Sequence, residues 1–193
     1  LVAGLAIVKT TFSPLIFSLY SLGLGLGAIY SIPPLTLKRF PLAAGGIIAV
    51  VRGFLLNFGV YYAVKEAFGV PFSWDPIVLF IARFMTVFAA MIAVTKDLPD
   101  VAGDIKYNVQ TFASRLGVGK VATIATGTLV ANYASAIVEA ICRPGVFQPI
   151  PMIGGHALAA IYALWSRRKL KADDGASIKL FYKRIWNMFY FEY

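Results

Sequence analysis

The sequence predicts an all-α fold, a multi-span transmembrane helical bundle, and three observations carry that expectation. The 193 residues are 59% hydrophobic and only 14% charged, with a mean hydropathy of +0.75, beyond what the core of a soluble domain this size needs. Several apolar runs approach the roughly 20 residues that cross a bilayer as a helix. Prolines and most charges gather between those runs rather than within them. Because lipid forces backbone polar groups to bond within the chain, helices are the expected element.

Taken in order, residues 1–8 read as the tail of a span and 12–30 as a whole one, in which Gly23, Gly25 and Gly27 permit close helix approach. The segment 31–41 cannot be helical through Pro33 and Pro34, and it carries Lys38 and Arg39. Residues 42–64 form the next span, 65–75 a polar turn with Gly69, Pro71 and Trp74, and 76–95 another span. The longest polar stretch, 96–119, follows. Then come a span at 120–141, a turn at Arg143-Pro-Gly145, a span at 150–165, a basic loop at 166–177 and, from 179, the approach to a final span. Leu1 and the aromatic run at the other end read as cut ends, so residues 1–193 are expected to be the C-terminal portion of a single transmembrane domain, a fragment lacking its N-terminal helices.

The 18 Lys and Arg outnumber 9 acids, but the basic residues fall in loops, where topology and anionic ligands account for them better than nucleic acid does. Loops 31–41, 96–119 and 166–184 share one side by alternation and hold most of these cations, so the positive-inside rule turns them to the cytoplasm, or to the stroma or matrix of an organelle. The single cysteine, Cys142, excludes an internal disulfide and a cysteine metal cluster.

Against this background the segment Lys96-Asp-Leu-Pro-Asp-Val-Ala-Gly-Asp104 stands out. Asp97, Asp100 and Asp104 are a third of the acids, placed where an apolar run meets water. Close carboxylates repel one another unless a cation sits among them, and such oxygen ligands suit Mg2+ carrying a phosphate. On a helix the spacing of three and four puts all three on one face. The competing reading is a solvated acidic loop capping a helix; the flanking Lys96 and Lys106 favour function. Lys38 and Arg39 follow a rigid Pro-Pro turn that aims them at phosphate oxygens or merely anchors the loop. Arg52 lies about three turns inside its span with no acid nearby in sequence, and a cation at that depth wants an anion. Asn57 is as readily interhelical glue as a site residue. Arg83, Glu139 and the lone His156 read as snorkelling, interfacial and structural residues respectively. Gly23-x-Gly25-x-Gly27 sits inside an apolar run and so is no dinucleotide fingerprint.

The acidic segment, with Thr111-Phe-Ala-Ser-Arg-Leu-Gly117 after it, resembles the second aspartate motif of the UbiA-type intramembrane aromatic prenyltransferases. Tyr30-Ser-Ile-Pro-Pro-Leu-Thr-Leu-Lys-Arg-Phe-Pro41 is similar to the preceding loop in the homogentisate branch. Val51-Arg-Gly-Phe-Leu-Leu-Asn-Phe-Gly-Val-Tyr61 and Tyr182-Lys-Arg-Ile-Trp-Asn-Met-Phe-Tyr190, with Glu192-Tyr193, are closer to its solanesyl-transferring members of plants and algae than to the phytyl-transferring ones.

The resemblance covers nearly the whole chain. It implies a helical bundle of nine spans around a cavity, embedded in the bilayer of a plastid envelope or thylakoid, with Mg2+ held against a prenyl diphosphate and homogentisate as acceptor. By that resemblance Asp97, Asp100 and Asp104 are the metal-holding catalytic residues, while Lys38, Arg52, Lys96, Lys106, Tyr30 and Asn57 are substrate-binding. The first aspartate motif of the family has no counterpart here, and Ala102 stands where relatives usually carry glutamate. Three alternatives stay open: a homogentisate phytyltransferase, a prenyltransferase for another aromatic acceptor, and a noncatalytic membrane protein or transporter that binds an ion at the same residues.

Overall fold

The computed structural model describes residues 1–192; Tyr193, part of the last motif quoted above, lies outside the described residues. Every element is helical, and among the described residues the only β pairing is an isolated bridge between Pro144 and Phe147. The order is α1 (Val2–Thr11), α2 (Pro14–Ser31), a 3-10 turn (Leu37–Arg39), α3 (Pro41–Ile48), a π-helical segment (Ala49–Leu55) and α4 (Leu56–Ala67). Then follow α5 (Pro76–Thr95), α6 (Val101–Lys106), α7 (Phe112–Leu116), α8 (Val118–Cys142), a second π segment (Ile150–Gly155), α9 (His156–Arg168) and α10 (Gly175–Glu192).

Among the described residues, four stretches are long and apolar enough to cross a membrane: Pro14–Ser31, Pro41–Ala67, Pro76–Thr95 and Val118–Cys142. They coincide with the four complete spans expected first from the sequence, and Pro76–Thr95 does so at both ends. The two later expected spans differ. The π segment and α9 run together, but the stretch ends on Arg167 and Arg168; α10 begins before residue 179 and carries Lys179, Lys183, Arg184 and Glu192. Those charges keep both out of the strongly apolar class.

Helix boundaries follow local chemistry. Pro14 and Pro41 open α2 and α3, where the missing N–H costs nothing. Asp75 Oδ1 caps α5 by accepting from the N–H groups of Ile77 (2.7 Å) and Val78 (3.4 Å), and Asp174 caps α10 in the same way through Ala176 and Ser177. Gly117, at φ +82°, makes the turn between α7 and α8 that a side chain would strain.

The chain divides into two compact units, Leu1–Thr86 and Val87–Tyr193. In the first, α2 buries no residue, and its all-round apolar surface suits lipid. Ser13 Oγ donates to Glu66 Oε2 (2.7 Å), tying the start of α2 to the end of α4. Phe58, Tyr62, Phe72 and Trp74 stack into an aromatic cluster where α4 runs into the loop before α5, the residue types and place of an interfacial belt. Within α5, the Arg83 guanidinium lies over the Phe80 ring (5.8 Å).

The second unit has the denser core. Phe88, Leu129, Tyr133, Phe181, Ile185 and Phe189 are fully buried, and Phe88 meets Tyr133 and Phe189 edge to face. Arg167 fastens α9 to the first turn of α8 by donating to Thr123 Oγ1 (2.9 Å) and to the Gly119 carbonyl (3.1 Å). Glu139 pairs with Arg143 (3.3 Å) one turn on.

Candidate functional site

The acidic segment is built around a buried leucine. Thr95 ends α5, its hydroxyl donating back to the Met91 carbonyl (2.8 Å), and Leu98, fully buried, folds the chain under that end. The turn continues through Asp100 N–H to the Asp97 carbonyl (3.3 Å) and Asp104 N–H to the Asp100 carbonyl (2.9 Å). The winding expected from the spacing of three and four is thus present in the backbone, although only Asp104 lies within α6; Asp100 occupies its N-cap and Asp97 precedes it in a turn. Pro99 accounts for the difference, since it has no N–H to extend a helix from α5.

Burial sets the charges apart. Asp100 is exposed, Asp97 and Asp104 are half-buried. Loss of water raises the Asp97 carboxyl above the usual carboxylate range; Asp104 and Asp100 raise it further, while Lys96 Nζ, 3.5 Å from Asp97 Oδ1, pulls it back. Asp104 Oδ2 accepts from Thr111 Oγ1 (3.0 Å), and Thr111 is also the N-cap of α7, in a reciprocal capping box with Ser114. One threonine therefore fixes both a helix start and an aspartate rotamer. Lys106 is exposed, its ammonium 5.6 Å from the centre of the Tyr107 ring.

The other candidates belong to the first unit. The 3-10 turn after the Pro33–Pro34 cis bond carries Lys38, exposed. Arg52 sits in the π segment of the long Pro41–Ala67 helix and, with Tyr30, Gly23, Gly27, Ile47, Ile48 and Val51, lines a cavity of about 310 Å³. Gly23 and Val51 also line a neighbouring apolar groove of about 390 Å³ that runs along α2 and α4 past Leu19, Tyr20, Leu56 and Val60. A cationic, phenol-bearing end is thus continuous with a greasy trough. Asn57 donates its amide to the Gly53 carbonyl, one turn back in the π segment, so it supports the helix that carries Arg52. Gly53 lets that helix touch α5: a Cβ there would overlap Thr86 Cα and lie 2.6 Å from its Oγ1.

A π turn holding the one arginine of this span is a signal that single-sequence reading does not supply. The structure sets His156 Nε2 3.6 Å from Glu192 Oε2 and its ring against Tyr133. Tyr133, His156 and Glu192 span 59 positions of sequence, so no local spacing could join them.

Among the described residues no three His, Cys, Asp or Glu side chains gather tightly enough to hold a metal ion alone. Asp97, Asp100 and Asp104 instead form a partial set whose mutual repulsion a cation would relieve. Such a set suits a divalent cation that brings further oxygen ligands with it, as an ion carried by a phosphate does.

Comparison with known proteins bears on which chemistry uses these parts. The chain is 52% identical over 194 residues to a probable homogentisate phytyltransferase 2, chloroplastic, of Oryza sativa subsp. japonica, covering 99% of this chain and 51% of that protein. It is 52% identical over 195 residues to the homogentisate solanesyltransferase, chloroplastic, of Arabidopsis thaliana, covering 100% and 50%. Over 195 residues it is 37% identical to a 2-acylphloroglucinol 4-prenyltransferase, chloroplastic, of Humulus lupulus, covering 100% and 47%. The chain spans about half the length of these curated relatives. No solved structure matches it. The family model described as the UbiA prenyltransferase family matches residues 1–190, and with that match, the aspartate segment and the apolar helices in agreement, the chain belongs to the UbiA prenyltransferase family.

Proposed function

We propose that the protein of which this chain is part transfers a long prenyl group, solanesyl, from its diphosphate to homogentisate, with loss of carbon dioxide, in a plastid membrane. The observation that carries the reading is the cavity of Arg52 and Tyr30 continued by an apolar groove, which suits a molecule with an anionic head and a hydrocarbon tail. The names of the rice and Arabidopsis relatives support homogentisate as acceptor and a plastid as location.

In this reading Asp97, Asp100 and Asp104 would hold Mg2+ beside the diphosphate, where it would supply charge to neutralise the leaving group. Lys38, Arg52, Lys96 and Lys106 bind the remaining phosphate oxygens, which lowers the cost of breaking the allylic C–O bond. Tyr30 turns an electron-rich ring toward the developing carbocation. The apolar walls exclude water, which would otherwise capture that cation before the homogentisate ring carbon does. Carbon–carbon bond formation with loss of the proton on that ring carbon, release of the side-chain carboxyl as carbon dioxide and protonation of the CH2 carbon it leaves give a prenylated methylbenzoquinol, a precursor of the plastoquinone type.

A phytyl donor is the second reading, favoured by the equal 52% identity to the rice protein. The test is made on the full-length protein in membranes with Mg2+ and homogentisate, offering solanesyl, phytyl or farnesyl diphosphate, beside Asp100→Ala and Asp104→Ala. A decarboxylated prenyl quinol made by the unaltered protein and not by the variants is expected, and the preferred donor identifies the branch. A folded protein that consumes no donor with any phenol sinks the proposal and leaves ion or anion binding as the function of these residues.

A further inference from the structure

The second unit contains a polar cluster that the prenyl-transfer reading does not use. Tyr133 of α8, His156 at the start of α9 and Glu192 at the end of α10 meet among apolar residues: Tyr133 is fully buried, His156 8% exposed and the Glu192 side chain 13% exposed. The Tyr133 ring lies against the His156 ring, 5.9 Å between their centres. Tyr133 and Glu192, together with Asn187, Leu158, Tyr162 and Phe191, line a groove of about 330 Å³ whose rim residues Leu158 and Phe191 are 69% and 79% exposed. Tyr133 lies about 22 Å along α8 from Val118, the end beside the acidic segment, at 1.5 Å per residue. The cluster therefore belongs to the opposite half of the spanning helices in this unit.

The hydrogen bonding defines what fits. His156 Nδ1 is 2.7 Å from the Met152 carbonyl, an acceptor, so this nitrogen carries a hydrogen and donates. Nε2 then faces the Glu192 carboxylate, another acceptor, at 3.6 Å. Glu192 lines the groove and has carboxylate lone pairs beyond the one that faces His156. An ammonium head would add charge at a depth where charge is costly and would compete with the imidazole. A phenolic hydroxyl is neutral, donates to the carboxylate and accepts from the Asn187 amide, and its ring can lie against Tyr162 and Phe191. We propose that this groove is a second ligand site, which binds the hydroxylated ring of a lipid-soluble phenol or quinol whose tail leaves between Leu158 and Phe191 into the bilayer.

Two sources share that chemistry, the quinol pool of the membrane and the protein's own prenylated product; the second rests on the proposed transferase reading. The test uses the full-length protein in lipid nanodiscs with a photoreactive alkyl hydroquinone as probe. Cross-links are expected at Leu158, Met188 and Phe191, competed by decylhydroquinone but not by its dimethyl ether, which has no hydroxyl to donate. Glu192→Gln should weaken labelling about tenfold, the worth of one charge-assisted hydrogen bond. Leu158→Trp, a change at an outward-facing position that fills the groove and spares the polar cluster, should abolish it. Labelling unchanged in both variants, or equal competition by the dimethyl ether, overturns the proposal. Prenyl transfer slowed by decylhydroquinone in the unaltered protein and not in Leu158→Trp supports it with the product as occupant, and specific labelling with no effect on transfer supports it with the quinol pool as occupant. Because labelling needs no prenyl donor, its failure is separate from failure of the transferase reading.

Discussion

Replacing Gly53 by alanine tests the packing that positions Arg52. A Cβ at this position overlaps Thr86 Cα and lies 2.6 Å from Thr86 Oγ1 and 2.7 Å from Thr86 N, where ordinary carbon contacts need about 3.5 Å or more. Two of those atoms are backbone of α5, so no rotamer change relieves the overlap, and the helices must separate by roughly 1 Å. Overpacking of this kind costs about 1–3 kcal/mol, and the better helix propensity of alanine returns up to about 1 kcal/mol. The expected net loss is about 1 kcal/mol, a fall of roughly 2–4 °C in melting temperature for a chain of this size. Gly59→Ala is the control, since its Cβ would meet nothing within 4 Å; it should gain a few tenths of a kcal/mol or stay level. Thermal melts of the detergent-solubilised protein, followed by tryptophan fluorescence, measure both. If Gly53→Ala melts at or above the temperature of Gly59→Ala, the close approach of the π segment to α5 is wrong.

Thr111→Ala removes a helix cap and the hydroxyl that holds Asp104, so it should cost about 1 kcal/mol of stability and lower prenyl transfer; Thr111→Ser should restore both, and a fully active alanine variant would detach Asp104 from the chemistry. Arg52→Met should raise the KM for the prenyl diphosphate by about tenfold or more, as loss of one charge-assisted contact does, and leave the KM for homogentisate nearly unchanged. Arg167→Ala should cost about 0.5–1.5 kcal/mol in unfolding measurements, because the Gly119 carbonyl and the Thr123 hydroxyl exchange their donor for water, while Arg168→Ala should be nearly silent.

Much of the fold was legible because its determinants are local. A run of apolar residues bounded by proline or a capping aspartate specifies a span from composition alone, and Pro76–Thr95 was delimited by Asp75, Pro76 and the charges after Thr95. The acidic motif was equally readable, being nine consecutive residues. The charged helix α10 was misjudged in start and character because Lys179, Lys183 and Arg184 alternate with buried Ile178, Phe181 and Ile185; a moderately polar helix looks like a loop until its buried face is known.

The sequence by itself determined the membrane character, the helical class, the positions of the complete spans and the aspartates at the mouth of one of them, since each depends on residue type and near-neighbour spacing. Tertiary structure decided the rest. Only packing could show that Arg52 and Tyr30 share one cavity, that Gly53 sits against Thr86, that Thr111 restrains Asp104 and that His156 faces Glu192 beside Tyr133. These relations join residues that the chain folds back upon one another, and their energies arise from distance in space, which a linear pattern of hydrophobicity and charge does not encode.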